Sequence, residues 1–319
     1  MSAPLRKGSF AELITPVLRS SFYEGMEERA KQSKRTMLYG DGTLTRHKET
    51  TVGIGNMSTS NFRFKGIGRT QYSGLEQGFA KDWIAEKFKG GIQVDRDLIE
   101  DLLDDSAPIP RSLTENPRAV GDALEIFCEQ VAAEPFNYAF TDSGTTPNGF
   151  GIAGPDGVGL CSTAHPLSPT NATTQSNEYT LDLTVDNLDT VMVGMAGITD
   201  DQGNKIGIVG DTLVVPYALR RRGLTIVQSE LEPGHANNDA NVVGNGIQNV
   251  IVWPYLTDSN AWFVVDSTRM KRHLLWLNRT TPQWAGDLDE DTDTYRWSVR
   301  YRFDRGFDDW KWIAGSNPS

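Results

Sequence analysis

The chain has 319 residues, enough for one large domain or two moderate ones, and its 38% hydrophobic and 23% charged content excludes a disordered chain. No apolar run approaches the ~18 residues that a bilayer-spanning helix needs, which argues against membrane insertion. A formal net charge of −11 argues against a dedicated nucleic-acid binder, which relies on clustered Lys and Arg, but not against a wall enclosing DNA.

Residues Met1 to Lys7 lack the apolar core of a secretory signal, and the chain is expected to be made in the cytoplasm. Cys128 and Cys161 have no CxxC spacing and read as reduced, buried thiols. Residues 1–40 read as an arm in which Pro16 and Gly25 interrupt any helical pattern. Through the stretch from Asp41 to Val94 and at its border, glycine recurs at 40, 42, 53, 55, 66, 68, 74, 78, 90 and 91, too often for helices. Between the glycines, Phe62-Arg-Phe-Lys65 and Phe79-Ala-Lys-Asp-Trp-Ile84 alternate in the manner of two antiparallel strands with one apolar face. A lone two-stranded hairpin is marginal in water, so that face needs a partner surface. Either this chain's own core or a neighbouring copy can supply it.

Asp95 to Leu103 shows a short capped helix ending before Pro108. The best-specified element follows: Asn116 as cap, Pro117 at the first helical position, then Val120, Ala123, Leu124, Phe127, Cys128, Val131 and Ala132 along one face, with Pro135 at the end. Residues 141–180 read as loops. A helix is expected over Asn187–Ile198, a buried strand at Leu213–Val215 closed by Pro216, and a short helix from Tyr217 to Gly223. Further strands are expected at Ile247–Trp253 and Ala261–Asp266, and the alternating run from Tyr295 to Phe303 predicts a long closing strand.

Candidate chemistry is thin. Phe140-Thr-Asp142-Ser-Gly-Thr145 resembles the carboxylate loop of aspartic proteases, but that chemistry needs a second carboxylate and no second copy of the loop exists, so a plain turn is expected. Asp287, Asp289, Asp291 and Asp293 alternate like a calcium loop, yet positions six and twelve hold Thr292 and Ser298 where glycine and glutamate are required. Gly53-Ile-Gly55 and Gly66-Ile-Gly68 are too short for a dinucleotide fingerprint. His47, His165, His235 and His273 are dispersed and read as ordinary hydrogen-bonded side chains. The late tryptophans, from Trp253 to Trp312, suit packing better than a glycan- or base-stacking surface. No catalytic, cofactor or metal residue is assigned.

Three segments carry a resemblance. Gly159-Leu-Cys-Ser-Thr-Ala-His-Pro166 resembles the F-S-T-x-H-P loop of Mu-type phage head subunits, with Cys161 where that loop often has an aromatic residue. Asp211-Thr-Leu-Val-Val-Pro-Tyr-Ala-Leu219 resembles a strand-to-helix segment of tailed-phage major capsid proteins. Trp262-Phe-Val-Val-Asp266 and the closing strand resemble the C-terminal half of the same family. The resemblance implies an α+β chain of the HK-97-like fold: N-terminal arm 1–50, E-loop hairpin 51–93, P-domain 94–185 with a long spine helix at 117–134, α/β A-domain 186–289, and a closing strand 290–319 returning to the P-domain.

The function so implied is a major capsid protein, a structural late protein of the virion made in the host cytoplasm. It self-assembles into pentamers and hexamers of an icosahedral shell around double-stranded DNA. Its expected partners are itself, a separate scaffolding protein and a portal, with room for a decoration protein and no membrane. Phe62, Phe64, Phe79 and Trp83 are the expected inter-subunit contacts. The alternatives are an encapsulin-like compartment of the same fold, a hydrolase using Asp142 or the Asp287–Asp293 cluster, and a glycan-binding surface protein.

Overall fold

The computed structural model describes residues 10–56, 74, 76–97, 111–231, 240–289 and 291–318. In chain order these form α1 (Phe10–Ala30), α2 (Arg35–Leu38), β1 (Gly40–Thr43), β2 (Lys48–Ile54), β3 (Gln77–Ile84), β4 (Glu86–Asp95) and α3 (Arg111–Asn137). The short strands β5 (His165–Ser168), β6 (Asn171–Gln175) and β7 (Glu178–Tyr179) follow, then α4 (Val185–Gly197), β8 (Thr212–Val215), a 3-10 turn (Tyr217–Leu219) and α5 (Arg220–Gln228). The last third holds α6 (Val242–Gly246), β9 (Asn249–Val252), β10 (Trp262–Val265), α7 (Ser267–His273), β11 (Leu274–Asp289), β12 (Thr294–Phe307) and β13 (Ile313–Ser316).

Two main sheets result, one ordered β1-β11-β12-β4 and the other β7-β13-β10-β8-β9. In the second, β8 (Thr-Leu-Val-Val) and β10 (Trp-Phe-Val-Val) are buried at every position, as strands covered on both faces must be. Alternate residues go to opposite cores. Val214, Phe263 and Val265 pack with Cys128, Val131 and Phe136 of α3, while Leu213, Val215, Trp262 and Val264 pack with Leu188, Val191 and Met195 of α4. The four-stranded sheet adds Trp276, Tyr301 and Phe303 to the α3 core, so α3 joins both sheets. All seven late tryptophans are buried, Trp284 the least so at 8% exposure, which removes the stacking-surface reading.

Several elements differ from expectation. α1 runs unbroken through Pro16 and Gly25. Gly25 is no breaker: a Cβ there would lie 2.3 Å from the Arg118 carbonyl oxygen of α3, and one on Gly121 would lie 2.2 Å from the Phe22 carbonyl oxygen. The two helices therefore touch backbone to backbone, and tertiary contact overrides propensity. α3 begins at Arg111 and passes through Pro117 and Pro135, so neither proline marks its end. β11 went unseen because Pro282 sits inside it, at a register shift between Thr280 and Gln283, where a residue lacking N–H is tolerated. β11 pairs with β12, so residues Leu274–Asp289 lie in the four-stranded sheet, apart from the sheet that holds β8, β9 and β10. After β12 the chain returns to the five-stranded sheet through β13, paired with β10. The helix expected at 95–103 lies largely outside the described residues.

The junction of α1 and α2 is fastened by buried polar groups. Glu129 of α3 accepts from Ser33 Oγ, from the Arg35 amide at 3.0 Å and from Trp253 Nε1 at 2.9 Å. Glu134 is ion-paired with Arg305 of β12 in a buried site. Both cysteines are free and buried, and burial raises both thiol pKa values, which fits inert packing.

Candidate functional site

Among the described residues β2 and β3 pair only with each other, as a two-stranded ribbon standing apart from both sheets. The register sets Lys48 opposite Ile84, Thr50 opposite Asp82 and Val52 opposite Ala80 on one face; Glu49–Trp83 and Thr51–Lys81 occupy the other. The face bearing Trp83 turns toward the chain's own body. Trp83 is 1% exposed, packed with Leu44, Ala85 and Leu277, and its Nε1 donates to Thr51 Oγ1 at 2.8 Å. Beside it the Ile84 amide donates to Asp304 Oδ2 at 2.6 Å, and burial pushes the Asp304 carboxyl up. Lys81 Nζ lies 6.0 Å from the Trp83 ring centroid and 5.9 Å from that of Phe307, and reaches the Ala153 carbonyl oxygen at 3.4 Å. Burial holds the Lys81 amine below the usual lysine range. This end of the ribbon is a rigid mounting.

Farther out the attachment turns polar. The Asn56 amide donates to the Asp201 carboxylate at 3.0 and 3.2 Å, and Thr170 Oγ1 donates to Glu76 Oε2 at 2.8 Å. Between these points and the mounting, a cavity of about 380 Å³ separates ribbon from body; His273, Asp308, Asp309 and Lys311 line its floor. These are already paired, His273 with Asp308 at 2.8 Å and Lys311 with Asp309 at 3.0 Å. Among the described residues nothing covers the opposite face of the ribbon. Val52, Ile54 and Ile84 are exposed by 46%, 72% and 40%, beside the Lys48–Asp82 ion pair at 2.8 Å, and Val52 and Ile54 also reach the rim of the cavity.

The expected contact residues divide accordingly. Trp83 is committed to its own chain and has no surface left for a neighbour. Phe79 is half-buried and lines the cavity under the ribbon. Phe62 and Phe64 lie outside the described residues. Alternation shows that one face of a strand is buried, but not whose atoms bury it. The exposure of Val52 and Ile54 was not read from the sequence, although the β-branched run Thr50-Thr-Val52 marks β2.

The other candidate sites are structural. Asp142 Oδ1 accepts from the Gly159 amide at 3.0 Å and braces a loop whose Gly144 sits at φ +112°. Asp293 pairs with Arg96 at 3.1 Å and Asp289 with Arg296; among the described residues no group of three or more His, Cys, Asp or Glu is arranged to hold a metal. His165 is wholly buried between Asp156 Oδ2 at 2.6 Å and Asn177 Oδ1 at 3.1 Å, stacked on Trp310 at 4.0 Å. Asn177 Nδ2 donates to the Leu160 and Ile313 carbonyls, so the Ser-Thr-Ala-His-Pro segment ties this loop to β13. His235 lies outside the described residues.

A family model described as phage capsid protein matches residues 81–315. No curated protein matches the chain. Among solved structures, one titled Mycobacterium phage Patience superposes with a TM-score of 0.54 at 12% identity, over 100% of this chain and 95% of that one. A virus-like particle from Pyrococcus furiosus gives 0.52 at 13% identity, covering 95% and 98%, and Mycobacterium phage Adephagia gives 0.52 at 13% identity, covering 90% of each. At such identities the likeness is one of fold. The family match, which takes in β12, most of β13, both sheets' central strands and all of α3, carries the assignment: the chain belongs to the phage capsid protein family.

Proposed function

We propose that this chain is the major capsid protein of a tailed phage, closing into an icosahedral shell of pentamers and hexamers around double-stranded DNA. The observation that supports the reading is the ribbon: fixed at one end by Trp83, bridged to its own body elsewhere by polar contacts, and carrying the exposed apolar side chains Val52, Ile54 and Ile84 beside a Lys48–Asp82 ion pair. Such a face gains by lying on another copy, and contacts of this head-to-tail kind close into rings where the rotation permits. Individually weak contacts suffice, because each subunit makes many at once.

In this reading α1 through β1 is the arm, the ribbon is the E-loop, α3 is the spine helix, the four-stranded sheet is the P-domain and the five-stranded sheet the core of the A-domain. The neighbour-facing residues are Val52, Ile54 and Ile84, with Phe79 released from the cavity as the ribbon re-aims during shell maturation. A separate scaffolding protein and a portal complete the assembly, and the likeness of the Ser-Thr-Ala-His-Pro segment to that of Mu-type head subunits supports a kinship with them.

The test is the double variant Val52→Ser/Ile54→Ser. Folded subunits that no longer form shells in negative-stain images are the expected result. Shells of normal yield and size would count decisively against the ribbon's role. An encapsulin-like compartment is the second reading, favoured by the fold shared with the Pyrococcus furiosus virus-like particle. Particles purified from the native source distinguish the two by content: packaged DNA for the first, a protein cargo for the second.

A further inference from the structure

The helical layer over the five-stranded sheet bears charges that its own chain leaves unanswered. α5 opens on Arg220, Arg221 and Arg222, all exposed, with no acidic residue in its first turn and no side-chain cap from Leu219. The start of a helix carries partial positive charge, so cations are unfavourable there and carboxylates favourable. Neighbouring α4 obeys that rule, with Thr184 capping the Asn187 amide and Asp186 in the first turn. Arg220 lies 5.9 Å from the Tyr217 ring centroid, and among the described residues no ion pair engages any of the three arginines. Three unpaired cations at the wrong end of a helix, in a chain of net charge −11, break a local rule without local compensation.

Equal and opposite charges stand close by. Asp182, Asp186 and Asp189 are exposed, and none of their carboxylates makes an ion pair or hydrogen bond among the described residues. Arg221 and Arg222 line an open groove of about 650 Å³ together with Leu183, Thr184 and Val185. Asp182 and Asp186 adjoin that lining in the chain, at Leu183 and Val185, and no ion pair joins them to the arginines among the described residues. The same layer exposes Val193 by 63%, Tyr217 by 64% and Val242 by 76%.

We infer that this face is an interface between copies of the chain, in which the arginine triad of one copy meets the acidic triad of another. A surface holding both triads is complementary to itself, and Arg and Tyr are the residues that protein interfaces concentrate. The exposed valines and tyrosine favour a protein partner over nucleic acid, whose phosphates would engage the arginines and leave the apolar groups wet. The inference rests on the shell reading and adds a contact distinct from the ribbon.

The experiment compares three variants with wild type: the triple Arg220→Glu/Arg221→Glu/Arg222→Glu, the triple Asp182→Arg/Asp186→Arg/Asp189→Arg, and the chain carrying all six. Each triple is expected to abolish shell formation, and the six-fold charge swap to restore it. The glutamate triple also places acids at the start of α5, so its unassembled subunit should melt no lower than wild type, which separates lost assembly from lost folding. Normal shells from the glutamate triple overturn the inference, as does a folded six-fold variant that fails to assemble. Normal glutamate-triple shells that retain less DNA overturn it too, and assign the arginines to nucleic acid. A wild-type chain that never assembles sinks the shell reading itself, whereas normal wild-type and normal reversed shells sink this contact alone.

Discussion

At Lys81 two effects oppose each other. Burial between the mounting and the body disfavours the charged amine, the nearby Asp304 carboxylate favours it, and burial dominates, so the amine titrates below its ordinary value. Between that lowered value and the ordinary one the unfolded chain binds more protons than the folded one, and stability therefore rises with pH across the interval. Below the interval both states are charged and the fold bears the desolvation cost. Lys81→Met keeps an apolar stem against the Trp83 and Phe307 rings and removes the charge. Its urea midpoint should exceed that of wild type at neutral pH, and the alkaline gain of wild type should shrink. A lower midpoint at neutral pH would mean that the hydrogen bond to the Ala153 carbonyl outweighs burial. The residue also shows what sequence conceals: Phe79, Lys81 and Trp83 share one face by strand period, and a lysine between two aromatics reads as solvent-facing until the body closing over it is seen.

Among the elements, the crossing of α1 and α3 depends on two glycines, Gly25, which the sequence reads as an interruption, and Gly121. Each occupies a place where the partner's backbone oxygen leaves no room for a methyl group. Gly121→Ala improves local helix propensity by up to ~1 kcal/mol, yet must push the helices apart. Overpacking of this kind costs about 1–3 kcal/mol, so the variant should lose net stability, read as a lower urea midpoint with unchanged slope. A midpoint at or above that of wild type would show that the helices are free to separate. Elements whose identity rests on their own residues were legible: the apolar face of α3, the all-buried β8 and β10, and the alternation of β12. Those that depend on a partner were not. α1 needs α3 to carry it past Pro16 and Gly25, and β11 holds Pro282 only because β12 accommodates a register shift there.

At the scale of the molecule, local pattern names strands but not their neighbours. β1 lies parallel to β11, and β4 pairs along β12 from Glu86–Phe303 to Asp95–Thr294, across some two hundred residues of chain. That pairing decides how the subunit unfolds. One core contains Phe136 of α3, Val214 and Phe263 of the five-stranded sheet, and Trp276 and Phe303 of the four-stranded sheet. Neither sheet can open without exposing the aromatic side chains of the other, and Arg305 of β12, ion-paired with Glu134 of α3, would lose its buried partner as well. A chain of this length ordinarily invites separate domain transitions. The shared core predicts one. Tryptophans are distributed through both sheets, with Trp253 and Trp262 on one side and Trp276, Trp284 and Trp297 on the other, so fluorescence reports the two together. Urea unfolding of the unassembled subunit should therefore give coincident curves by tryptophan fluorescence and far-ultraviolet circular dichroism, with a single midpoint. Two separated midpoints would mean that α3 belongs energetically to one sheet only, and the picture of a rigid body carrying an exposed ribbon would then have to yield to two bodies joined by a helix.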